Sequence, residues 1–431
     1  MQLTKGAIGN LINRYKAVLK KCHLMNTFGS LAVAGMLVMG GAGVAVAGAT
    51  DIDVPLEGEN TYDSEKTPTV NHLMGGWLVQ AADTAGKAQG DITLTVNGGT
   101  ISEIIGGSYA KGLAANEGNL LAVTHGNITT TISGNTTSAE FVVGGSKVAG
   151  GAGANLKTGD ISLTIDDGTF GFGKEGKTDN YELVMGGNYA KTAGSDALTA
   201  TTEGSSVAVN GGTFHASVVG GSVAHNHSGT GHIKVSDNGN TSVTINGGTF
   251  NPSESSRGDD KGGITLSAAV IGGGLAYGAN TSSVLGSKEA PVTSSVTING
   301  GTFEPETGGH YAKIVAGSVV AAGGHSAIVH GNTTLAMADG EAHDDLIGGG
   351  MVENAAQLPE DSTSKYNLNI TDDSFVTVTG GKALGEVIGG NYVKTSTSGL
   401  TNSAKVANSS VTITGGTFAK DTDSSIEHST G

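Results

Sequence analysis

The chain has 431 residues, 73 of them Gly, with 6 Pro, 1 Trp, 1 Cys, and 23 Lys+Arg against 39 Asp+Glu for a formal net charge of −16. Glycine at more than twice its usual share of about 7%, with no period of three and little Pro, excludes collagen, and alternating Val, Ile and Thr exclude disorder. The acidic balance excludes nucleic acid as a partner, because phosphates would go unneutralised.

The first element is a targeting segment. Lys5, Arg14, Lys16, Lys20 and Lys21 form a basic, acid-free start, Leu31 to Val46 is apolar and small, and Ala45-Val46-Ala47 offers a cleavage site after Ala47. Residues 1–47 therefore read as a cleaved signal peptide and 48–431 as the mature chain. A membrane anchor over Phe28 to Ala49 is the alternative, but Gly and Ala dilute that stretch and no basic stop signal follows it. Cleavage removes five basic residues and no acidic one, leaving 18 Lys+Arg against 39 Asp+Glu, a net of −21. It also removes Cys22, so the exported chain has no disulfide to form.

Beyond the leader, one phrase recurs: Thr93-Leu-Thr-Val-Asn-Gly-Gly-Thr-Ile101, then copies ending at Phe214, Phe250, Phe303 and Phe418, with weaker copies ending at Phe170 and Phe375. A second phrase follows, as in Ile104-Ile-Gly-Gly107, Val142-Val-Gly-Gly145, Val184-Met-Gly-Gly187, Val218-Val-Gly-Gly221, Val270-Ile-Gly-Gly273, Leu346-Ile-Gly-Gly349 and Val387-Ile-Gly-Gly390. About nine units result.

In Ser242-Val-Thr-Ile-Asn-Gly-Gly-Thr-Phe250 the apolar Val243 and Ile245 alternate with short polar residues, a period of two and hence a strand. Asn-Gly-Gly supplies the positive φ of a corner, and Thr249-Phe250 starts the next segment. Five of the nine Phe residues share that repeat position, which predicts a buried aromatic row. The Ile-Gly-Gly phrase predicts a second short strand and a second corner. Neither strand buries its apolar face within one unit, so the chain should be all-β, a parallel β-helix in which each coil pairs with the next. Corner-to-corner spacing runs from 31 to 52 residues, which puts insertions on the corners rather than in the strands. The longest lies between Phe250 and Val270.

These features resemble the passenger region of bacterial autotransporters, the type V secretion adhesins. The likeness rests on the long basic leader reading Asn13-Arg-Tyr-Lys-Ala-Val-Leu-Lys-Lys21, on the absence of cysteine after cleavage, and on the Asn-Gly-Gly-Thr-Phe coils; it covers nearly the whole chain. It implies a non-catalytic protein that is exported, displayed at the cell surface or secreted, and adhesive. Its partners would be a host matrix protein or glycan, or another copy of itself, with no cofactor. The family ends in a membrane β-barrel translocator. Nothing after Phe418 provides one, so a truncated chain is expected, and the outer membrane would be reached only through a translocator absent from this sequence.

Several constellations invite chemistry. Asp166-Asp167 and Asp372-Asp373 align with corner residues of other units, which makes them structural rather than a catalytic pair; Asp259-Asp260 and Asp344-Asp345 are further acidic pairs. Gly150-Gly-Ala-Gly-Ala-Asn155 approaches a calcium-binding repeat but lacks its Asp. His225, His227 and His232 have zinc-like spacing without a fourth ligand and read as a solvated loop. No nucleophile elbow or Gly-Asp-Ser-Gly segment suggests a serine protease. The sequons at Asn127, Asn332 and Asn369 read as structural. Arg257-Gly258-Asp259 is the sharpest adhesive candidate: it sits in the longest insertion, and Arg257 is the only arginine after the leader. A polysaccharide-acting β-helix enzyme and a spacer without a ligand are the rival readings.

Overall fold

The computed structural model describes residues 52–53, 59–62, 69–80, 87–111, 121–134, 137–149, 154–171, 183–192, 197–226, 230–251, 266, 268–304, 312–356, 366–394 and 402–418. All belong to the unit Ala49–Gly431. The expected signal segment with Ala47, and the Arg257-Gly258-Asp259 tripeptide, lie outside the described residues. No helix among the described residues is long and apolar enough to cross a membrane.

The strands pair in parallel and stack into three sheets of 17, 17 and 9 strands, the three faces of a β-helix. One coil shows how the sequence builds it. Ile233–Asp237 and Thr241–Ile245 are the two halves of a first face, each alternating buried and accessible side chains. Asn246-Gly247-Gly248 turns the first corner, with Gly248 at φ 100°, a conformation L side chains rarely adopt. Thr249–Phe250 and Ala268–Ile271 form the second face, and Gly272-Gly273-Gly274 makes the second corner. Leu275–Tyr277 is the third face, after which Thr281–Leu285 opens the next coil. The nine-stranded sheet contributes one strand to each coil, so among the described residues one repeat is one coil.

Four of the five phenylalanines form the buried row that the repeat predicts, while Phe418, at the same position in the last described coil, is 42% exposed. Phe170, Phe214, Phe250 and Phe303 are 0% exposed and stack in register, with ring centroids 5.0, 4.8 and 4.6 Å apart. Val70, Ile101 and Ala139 continue the row on one side, and Ala342, Ala383 and Phe418 on the other. Each buried aromatic removes roughly 150–250 Å² of surface from water. This column therefore carries much of the burial that joins the first and second faces.

Phe375 does not belong to the row. It lies on the outer side of the first face, 38% exposed, in register with Thr334 and Ser410. The real corner of that unit is Thr379-Gly380-Gly381, and Ala383 takes the Phe position. Asp372-Asp373 accordingly falls at the bend between the two halves of the first face, not at the Gly corner. There Asp373 N–H donates to Asn332 Oδ1 (3.0 Å) and its Oδ1 accepts from Asn408 Nδ2 (2.6 Å). Asp166-Asp167 is a corner, as read from the sequence: Asp166 Oδ1 accepts from Asn210 Nδ2 (2.8 Å) and Asp167 Oδ1 from Gly168 N–H (2.8 Å).

The second corner is Gly-rich for want of room rather than for φ. A Cβ on Gly220 would lie 2.3 Å from the carbonyl oxygen of Gly272 in the next coil and 3.1 Å from Val243 Cγ2. The corner thus presses against the bend of the first face, where Ser205 Oγ donates to Gly220 O (2.7 Å) and Ser294 Oγ to Ala316 O (2.6 Å). The first corner is tied from coil to coil by its Asn side chains: Asn246 Nδ2 donates to Asn210 Oδ1 (2.8 Å), and Asn299 Nδ2 to Asn246 Oδ1 (2.9 Å). The longest insertion does not enter at a Gly corner as the spacing predicts: extra residues enter within the second face after the Thr-Phe pair, between the third face and the next first face, and, between Leu285 and Ser294, at the bend of the first face.

Candidate functional site

Two surfaces follow from this geometry. The first is the outer side of the first face. Thr93, Thr129, Ser162, Ser206, Ser242, Ser295 and Thr334 stand in one unbroken register, and Thr95, Thr131, Thr164, Ala208, Thr244, Thr297 and Ala336 in a second. Neighbouring strands are about 4.8 Å apart, so hydroxyls repeat at that interval along the solenoid. No charged residue occupies either column over these seven coils. In a chain this acidic, the plate is an uncharged surface of repeated donors and acceptors.

The second surface lies in the angle between the second and third faces. Strand alternation sends Ile104, Val218 and Val270 inward to the row of Phe, while Ile105, Val219 and Ile271 point the other way. Those residues join Tyr109, Tyr189, Val223, Leu275, Val319 and Met351 of the third face in a separate buried apolar cluster. Charged side chains sit at both ends of it.

At one end Lys147, 5% exposed, places Nζ 2.7 and 2.6 Å from the two Glu103 oxygens. The same ammonium lies 4.8, 5.1 and 5.7 Å from the ring centres of Tyr109, Phe141 and Tyr189, a cation–π cage built from three coils. Burial pushes the Glu103 carboxyl up, but the charges of Lys147 and His72 outweigh it and hold the group below its usual range. At the other end Lys313, 3% exposed, bonds Asp344 Oδ1 at 2.9 Å and also Asp345 Oδ2, with the Tyr392 ring 5.0 Å away. Burial pushes the pKa of the Lys313 ammonium down, but the charges of Asp344 and Asp345 outweigh it and hold the group charged above its ordinary range. Burial lifts Asp344 despite that partner.

The Asp344-Asp345 pair is therefore engaged with the chain's own lysine. Removing one partner of a buried pair costs about 3–5 kcal/mol, because the remaining charge is stranded. Lys313→Met is expected to lower stability by about that amount in urea unfolding, and Lys313→Met combined with Asp344→Asn and Asp345→Asn to recover most of the loss.

His225 is on a third-face strand, 0% exposed, with Nδ1 2.8 Å from Tyr189 Oη and its ring 5.4 Å from that of Tyr277, so it is not in a solvated loop. His232 is exposed and His227 lies outside the described residues. No group of three metal-capable side chains occurs among the described residues. Asn127 and Asn332 are structural: their Oδ1 atoms accept from Asp160 N–H (3.0 Å) and Asp373 N–H (3.0 Å) in the following coils.

The two ion-pair clusters were not visible in the sequence, since their members are 31 to 44 residues apart. The available signal was a lone Lys in an otherwise apolar or aromatic repeat position, as at Lys147 between Tyr109 and Tyr189. Together these features define a parallel β-helix repeat protein. No family model, curated protein or solved structure matches the chain.

Proposed function

We propose that this is a non-catalytic repeat protein, exported to the cell surface or secreted, that mediates adhesion or self-association through its solenoid faces and inserted segments. The observation that carries the reading is the uncharged hydroxyl plate held in register over seven coils. A single neutral hydrogen bond gains only about 0.5–1.5 kcal/mol over water, so such a surface works by repetition along an extended partner. A host glycan, a matrix protein or a second copy offers that repetition. The register of the plate continues from Ser242 to Ser295 across the sequence that contains Arg257-Gly258-Asp259, which suits that tripeptide as an adhesive loop.

The rival from another class is a polysaccharide-acting enzyme. Against it, the Asp344-Asp345 pair and Glu103 are already held by Lys313 and Lys147, and the two other acidic pairs described are bonded in corner and bend ladders. The test is binding of the purified chain to matrix proteins, glycans and its own cells, with a parallel screen for release of reducing sugar. Saturable binding without turnover is expected, and its loss in Arg257→Ala would assign the loop. Turnover abolished by a single carboxylate change would replace this reading with the enzyme, and neither activity would leave a structural spacer.

A further inference from the structure

The second corner carries an internal ladder. At six of its steps the residue that follows the corner glycines accepts, through its side chain, the backbone N–H of the equivalent residue one coil earlier. Trp77 N–H donates to Ser108 Oγ (2.7 Å), Ser108 N–H to Ser146 Oγ (3.1 Å), Ser146 N–H to Asn188 Oδ1 (2.8 Å) and Asn188 N–H to Ser222 Oγ (3.0 Å). The series resumes with Gly274 N–H to Ser318 Oγ (3.2 Å) and Gly350 N–H to Asn391 Oδ1 (2.9 Å).

It breaks at Ser318, whose successor is Gly350, and at Ser222, whose successor is Gly274. Glycine has no acceptor to offer, and a Cβ at Gly274 would lie 2.2 Å from Ser283 Oγ and 2.9 Å from Ser222 O. At Ser222 the missing acceptor comes from elsewhere. Asp237, on the first face of the same coil and 0% exposed, takes the Ser222 N–H on Oδ2 (3.0 Å) and the Ser222 O–H on Oδ1 (2.6 Å).

No cation accompanies this carboxyl among the described residues. Its neighbours in register are Thr202 and Leu285. Lys234, on its own strand, and Glu203, on the strand beside it, are exposed on the outer side of the first face, and the strands Ala268–Ile271 and Thr281–Leu285 carry no charged residue. His225 faces Tyr189 in the angle between the other two faces.

We propose that Asp237 is a proton-dependent latch on the seam between the coil of Gly220-Gly221-Ser222 and the coil of Gly272-Gly273-Gly274. With its proton, the carboxyl keeps one hydrogen bond with the Ser222 hydroxyl and still accepts the Ser222 N–H on Oδ2, and the site is neutral. Without it, a charge is buried with two hydrogen bonds and no counter-ion among the described residues, and the seam loosens. Burial pushes this carboxyl up to about 6, and the two Ser222 hydrogen bonds lower it by less. A carboxyl raised from 3.8 when folded stabilises the closed seam fully below about pH 4 and loses that contribution as pH rises through about 6. The longest insertion leaves and rejoins the second face of the coil beyond this seam, so mild acid stiffens its mount.

Hydrogen exchange of the full chain, followed in the peptide around Ser222 and corrected for intrinsic exchange, tests the latch. Between pH 4 and pH 8 the Ser222 region should lose protection about a hundredfold, the two-unit displacement of the carboxyl expressed as an equilibrium. The region around Ser146, whose ladder contains no carboxyl, should not change. Asp237→Asn keeps an acceptor and a donor without titrating, and should abolish the pH dependence. Should that variant fail to fold, Ser222→Ala removes one hydrogen bond that lowers the carboxyl and should move the transition to higher pH. Undiminished protection at pH 8 in the wild type would overturn the proposal. So would an unchanged pH dependence in Asp237→Asn, or an unmoved transition in Ser222→Ala.

Discussion

Substituting Phe250 by alanine is expected to lower the stability of the solenoid by about 3–5 kcal/mol. The ring is fully buried and stacked on both sides, 4.8 Å from Phe214 and 4.6 Å from Phe303. Its removal opens a cavity that the coils above and below cannot close, because their backbones are fixed by the parallel ladders. The matched control is Phe375→Ala on the exposed outer side of the first face, where a loss of less than about 1 kcal/mol is expected. Urea unfolding of both variants distinguishes the row from a general sensitivity to loss of phenylalanine. Equal losses at the two positions would contradict the assignment of Phe375 to the outside.

Gly220→Ala should be as damaging, for a different reason. The added Cβ meets the Gly272 carbonyl oxygen at 2.3 Å, and that atom is backbone of a residue whose N–H is held in the coil-to-coil ladder by Val315 O. Relief requires the two coils to separate at the corner, an overpacking cost of about 3 kcal/mol. Gly90→Ala provides the comparison, since a Cβ there meets nothing within 4 Å. A thermal scan should show a marked drop for Gly220→Ala and none for Gly90→Ala. A stable Gly220→Ala chain would show that the second corner is looser than the geometry requires.

Much of this architecture could be read in the sequence, and the reasons are local. Val243 and Ile245 alternate with Ser and Thr, Gly248 needs positive φ, and Phe250 recurs at one offset from the corner, so strand, turn and core row follow from one phrase. The reading failed where a unit lost its marker residue. Ala383 occupies the Phe slot, so the frame slid onto Phe375 and carried Asp372-Asp373 to the wrong place. Ala316-Gly317-Ser318 is a second corner that lacks the Gly pair and was not recognised as one. His225 looked like a loop residue because the third face is only three or four residues long, too short for alternation to show.

The candidate sites were less legible still. Pairing of Lys147 with Glu103 and of Lys313 with Asp344 depends on which residues the coil period brings together, and insertions change that period from coil to coil. Asp237 is a sharper case. Its burial follows from a missing side chain at Gly274, 37 residues later in the chain, and only the stacked corner relates the two. The hydroxyl plate was legible in composition but not in extent, because continuous register is a property of the ladder.

The separability of a repeated scaffold from its insertions is most directly tested by removing one whole coil. Val243 stands in register with Val296, so deletion of residues 243–295 joins Ser242 to Val296 and takes the longest insertion with it. In the product Phe214 faces Phe303, and Ser222 meets Ser318 in place of Gly274, which restores the corner ladder. Circular dichroism and urea unfolding should show an unchanged β-rich signature and a single cooperative transition. Deletion of 243–267 alone, which breaks the register, should abolish both. A whole-coil deletion that is unfolded, or a half-coil deletion that folds equally well, would contradict a β-helix with one coil to each repeat.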